Sequence, residues 1–114
     1  KNRPQNFIDY STDEQKQLIE NRVKELEGPN TLVKVMSTGK ASIGDPMTKV
    51  LHEIFKGEKR LEKIKIVLYH PNMNKYNEFK SKWEQYFPTW QRLAKHENVD
   101  LTWEEMPHLI NEGE

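Results

Sequence analysis

The sequence predicts a small α/β domain: a Rossmann-like sandwich, with helices packed on a mainly parallel three-stranded sheet and a further helix in front of the first strand. Three observations predict it. Apolar residues recur at helical spacing in three separate blocks. Three short β-favouring runs lie between and after those blocks. Successive runs are separated by helical blocks of ten or more residues, the length that a crossover between parallel strands needs.

The elements follow in order. Residues 1–10 read as an N-terminal arm, residues 11–110 as the single domain and residues 111–114 as a polar tail. Ser11 and Glu14 form a capping-box pattern, in which hydroxyl and carboxylate each take up an orphan amide. Leu18, Ile19, Val23 and Leu26 then share one face of a first helix, which Gly28-Pro29-Asn30 ends. Thr31 to Met36 is a short strand bounded by turn residues, followed by a polar loop from Ser37 to Gly44. A second helix is expected with Asp45 at its cap and Pro46 at its first position. Its apolar stripe is Met47, Val50, Leu51, Ile54 and Phe55, and Gly57 closes it.

Ile64 to Tyr69 is nearly continuous in Ile, Val and Leu, as a central strand buried on both faces would be. Pro71, Asn72 and Asn74 suggest a turn and a cap. Tyr76, Phe79, Trp83, Tyr86 and Phe87 then recur at helical spacing, and Tyr76, Phe79, Trp83 and Tyr86 share the face that a third helix must bury. Pro88 is expected to end or kink it, because proline lacks the amide and clashes with the preceding turn. Thr89 to His96 would be a short continuation. Val99, Leu101 and Trp103 alternate as in a half-buried strand, and Met106 to Ile110 forms a last apolar segment.

Composition narrows the function classes. Eighteen basic residues balance eighteen acidic ones. Nucleic-acid binders draw much of their affinity from neutralising phosphates, so this balance disfavours them. Leu, Ile, Val and Phe make up about 23% of the chain, above the roughly 20% below which highly charged chains stay disordered. Zero cysteines exclude a disulfide scaffold and a thiolate metal site, and fit a reducing, cytoplasmic setting. The longest apolar run holds Lys65 and is too short to span a bilayer, and no signal-peptide pattern opens the sequence, so no membrane association is expected.

In open parallel sheets, ligands bind outside the carboxyl ends of the strands. That rule selects Ser37, Thr38, Gly39, Lys40 and Ser42 after the first strand, His70 and Asn72 after the second, and Glu105 after the third, with Asn74, Glu104 and His108 nearby. The first group combines hydroxyls, a cation and a helix start, the components of an anion site. It is not a phosphate-binding P-loop, because Lys34 stands where the first glycine belongs and Ala41 where Ser or Thr should follow Lys40.

His70 could act as acid, base or anion ligand. The histidines at 52, 70, 96 and 108 have no metal-ligand spacing, so no metal and no cofactor is expected. No nucleophile elbow and no cysteine nucleophile occur. Phe87 and Trp90, on either side of Pro88, are hard to place inside and are expected, with neighbouring Arg92, at an exposed patch that meets a protein partner or a second copy.

The first reading is therefore a non-catalytic binding or regulatory module for a partner protein or small ligand. The alternative is a nucleotide- or phosphate-ligand-binding domain, or a weakly marked enzyme, with its site at the strand ends. Nucleic-acid binding through the basic and aromatic third helix ranks last.

Overall fold

In the computed structural model of the chain, residues 7–38, 43–57, 59–70 and 75–106 are described. They form helix α1 (Thr12–Leu26), strand β1 (Thr31–Ser37), helix α2 (Asp45–Lys56), strand β2 (Lys63–Tyr69), helix α3 (Tyr76–His96) and strand β3 (Asp100–Glu105), with a 3₁₀ turn at Phe7–Asp9 ahead of α1. The sheet order is β1-β2-β3 and both pairings are parallel. This is the α/β sandwich expected, with α1 preceding the first strand. No helix among the described residues is long and apolar enough to cross a membrane.

Strand alternation sorts the side chains into two layers. Ile64, Ile66 and Leu68 of β2 and Leu101 of β3 join Met47 and Leu51 of α2 and Trp83, Phe87, Trp90 and Ala94 of α3 in the main core. Both crossover helices thus cover one face. On the other face, Val67, Phe7 and Met106 are buried together, with Leu18, Ile19 and Leu26 of α1 packed against them. The central strand is buried on both sides, as its near-continuous apolar run requires.

Local chemistry explains the helix ends. The capping box forms: the Glu14 amide donates to Ser11 Oγ at 3.2 Å and the Ser11 amide donates to Glu14 Oε1 at 3.2 Å. Lys65 Nζ reaches the Leu26 carbonyl at 3.4 Å, a cation placed at the negative end of α1. α2 departs from expectation by one position. Gly44 is its N-cap, at φ 97°, a left-handed conformation that favours glycine, and Asp45 lies inside the helix with no side-chain cap.

Four further expectations are corrected. Pro88 lies inside α3, which runs unbroken for 21 residues. A proline in a helix interior costs about 3 kcal/mol, but burying a large apolar side chain returns about 1.5–3 kcal/mol. Phe87 and Trp90 flank the proline and are both buried, so packing outweighs the local penalty. The same burial removes the expected exposed patch: Trp90 is 1% exposed and packs edge-on against Trp83 with ring centroids 5.1 Å apart, leaving Arg92 alone at the surface. Tyr86, expected in the buried stripe, is 41% exposed and stacks over Trp90. Phe7, assigned to the arm, is instead buried, and its carbonyl accepts from Gln15 Nε2 at 3.0 Å. Residues 1–6 and the tail at 111–114 lie outside the described residues.

Candidate functional site

The carboxyl ends of the three strands meet in a polar cluster around the buried His70. Its positions follow from register. Ser37 pairs with Tyr69, and the Thr38 amide donates to the Tyr69 carbonyl at 3.0 Å, which carries β1 one residue further and brings Thr38 level with His70. Leu68 pairs with Glu105, and the Met106 amide donates to the Leu68 carbonyl at 2.7 Å. By alternation, Thr38, His70 and Glu105 all fall on the face covered by α2 and α3.

His70 is 3% exposed and the only charged or polar residue buried to that degree among the described residues. Its Nδ1 lies 3.1 Å from Thr38 Oγ1 and its Nε2 lies 2.9 Å from Glu105 Oε2. From α3, Tyr76 Oη donates to Glu105 Oε2 at 3.0 Å and Lys80 Nζ donates to Oε1 at 3.1 Å. Tyr76 and Lys80 are four residues apart and therefore lie on one helix face. The Tyr76 ring also meets His70 edge-on at 4.4 Å, and Lys80 sits over that ring at 5.7 Å.

Burial alone would push the Glu105 carboxyl up, but hydrogen bonds from His70, Lys80 and Tyr76 more than offset it and hold the group below the usual carboxylate range. Glu105 is therefore an anion at neutral pH. Desolvation and the adjacent carboxylate raise the Tyr76 phenol, and the Glu105 hydrogen bond raises Lys80. An ionised carboxylate only accepts, so the proton between His70 and Glu105 belongs to Nε2. In the neutral imidazole, Nδ1 then carries the lone pair, and the Thr38 hydroxyl donates to it. A hydroxyl so placed can lose its proton to the ring as it reacts.

Of the residues expected at the site, Thr38, His70 and Glu105 come together. Ser37 is half-buried and falls on the α1 side of β1 by alternation. Glu104 turns to the same side, where Arg22 of α1 binds it with Nε–Oε2 at 2.5 Å and Nη2–Oε1 at 2.8 Å. Gly39, Lys40, Ser42 and Asn72, like Asn74 and His108, lie outside the described residues. The strand-end rule does not select Lys80, and helical periodicity places Tyr76 in the apolar stripe. Their four-residue spacing at the start of the helix that follows His70 was the available signal.

Two shallow hollows, of about 180 and 290 Å³, lie at the opposite end of the sheet around Lys59, Arg60 and Leu61. They contain none of the cluster residues. Compared with known protein families, with curated proteins and with solved structures, the chain matches none of them.

Proposed function

We propose that the protein is a small-ligand-binding α/β module whose site is the carboxyl end of its sheet. The observation that carries this reading is His70: a nearly fully buried histidine held between Thr38 and Glu105, where three strand ends converge. Burying a polar ring costs free energy unless it is hydrogen-bonded, and here donors and acceptors from three other elements are spent on one orientation. Orientation of this kind is what a binding site needs from its supporting shell. Two of the alternatives have less support. With Phe87 and Trp90 in the core, the one largely exposed ring near Pro88 is Tyr86, too little for the aromatic patch a protein partner would need. With Trp83 buried as well, Tyr86 alone is left largely exposed among the described rings of the third helix, too little for a base-stacking surface. A cytoplasmic setting suits a chain without cysteine.

The test is a thermal-shift screen with nucleotides, sugar phosphates and uncharged metabolites. A ligand present at 100 times its dissociation constant adds about 2.7 kcal/mol of stability. A stabilising compound whose effect disappears in Thr38→Val supports the reading. A screen with no stabiliser, or one whose shifts are the same in Thr38→Val, Lys80→Met and the parent chain, removes it. Phosphorylated compounds alone among the stabilisers would favour the anion-site version that includes Lys40.

A further inference from the structure

We propose that Thr38 is a nucleophile that takes an acyl group from an ester, with His70 as its general base and Glu105 as the residue that positions the base. The proposal rests on the carboxyl end of the sheet being the ligand site. It adds a reaction and a substrate class to that site.

The argument starts from the order of the three groups. Hydroxyl, imidazole and carboxylate stand in series, Thr38 Oγ1 to His70 Nδ1 at 3.1 Å and His70 Nε2 to Glu105 Oε2 at 2.9 Å. Nucleophilic catalysis by an alcohol needs this series, because a hydroxyl is weakly nucleophilic until a base takes its proton and a third group orients that base. Glu105 holds the Nε2–H tautomer, which leaves Nδ1 to receive the proton from Thr38. Tyr76 and Lys80 in turn hold the carboxylate. Thr38 itself is half-buried rather than enclosed. The substrate class follows from charge. Glu105 and Lys80 offset each other, so the described side chains around His70 bring no net positive charge to draw in a phosphate, whereas an uncharged ester meets no opposing charge.

In the step, Thr38 Oγ1 bonds to the carbonyl carbon and its proton passes to His70 Nδ1. The bond from that carbon to the leaving oxygen breaks, and the leaving alcohol takes the proton from His70. The product is a Thr38 ester. Attack by water, with its proton again taken by His70 and returned to Thr38 Oγ1, releases the acid and restores the chain.

The experiment uses the full chain and p-nitrophenyl acetate as the probe, following nitrophenolate release and mapping acetyl groups by peptide mass spectrometry. Expected are one acetyl group on Thr38, retained at that position in Thr38→Ser and absent in Thr38→Val, and acylation slowed by roughly 10²-fold or more in Glu105→Gln. The rate should be lower in acid, where a protonated His70 cannot take the proton from Thr38; His70 faces Thr38 from β1, Glu105 from β3 and Tyr76 and Lys80 from α3. Acetylation confined to lysines, a Thr38 rate equal in Glu105→Gln and the parent chain, or a rate independent of pH overturns the proposal. Because Glu105→Gln could lose its fold, nitrogen-15 NMR of the parent chain supplies a second check: an Nδ1–H tautomer of neutral His70 also overturns it. A ligand that stabilises the chain without any acylation of Thr38 sinks the nucleophile and leaves the binding reading standing. Acylation of Thr38 with no stabilising metabolite supports the nucleophile and counts against that reading.

Discussion

Glu105 accepts from His70, Tyr76 and Lys80 while only 21% of its side chain meets solvent. A hydrogen bond to a charged group contributes about 1.5–3 kcal/mol, so Glu105→Gln should destabilise the chain by about that much at pH 7. The pH dependence has a definite sign. The folded carboxyl titrates below its unfolded value of about 4.3, so its contribution is complete above that value and is lost as pH falls through the lower folded one. Urea melts of the two proteins should therefore differ at neutral pH and converge in acid. A difference that stays constant down to the acid limit would mean that Glu105 is not held ionised by its donors. At this scale the sequence was informative about residue type and position, since Thr38, His70 and Glu105 were legible as strand-end residues. Their partners were not, because which side chain reaches which depends on register and on the placement of α3.

Among the elements, α3 shows most clearly where local rules yield to packing. Proline lacks the amide and should interrupt the helix, yet the helix runs through Pro88 with Phe87 and Trp90 in the core and Pro88 itself at the surface. Replacing Pro88 by alanine should therefore stabilise the chain, by up to about 3 kcal/mol, since it restores an amide and removes a clash without touching the core. A lowered melting temperature in Pro88→Ala would show that α3 is built around the proline rather than in spite of it. The capping box of α1 is the opposite case. Ser11 and Glu14 were readable as a cap because every group involved lies within three residues of sequence.

For the molecule as a whole, the two faces of the sheet are unequally covered. The face under α2 and α3 holds the main core, whereas α1 has no fully buried residue and Val35 of β1 is 36% exposed. Local opening is easiest where little apolar surface is buried. Amides of α1 should accordingly exchange with solvent ahead of those of β2 and α3, a result that hydrogen-exchange mass spectrometry would resolve. Equal protection in α1 and α3 would show that the Arg22–Glu104 pair and the Phe7 cluster hold the first helix as firmly as the core holds the third.

The sequence by itself determined the element order, the parallel sheet and the identity of its buried central strand, because periodicity and chain length between strands are local properties. Only the tertiary structure decided that Trp90 is core, that Glu104 and Glu105 serve opposite faces, and that Tyr76 and Lys80 close the site around His70. Each of those depends on which surfaces meet, and burial and hydrogen bonding between distant residues leave no periodic trace along the chain.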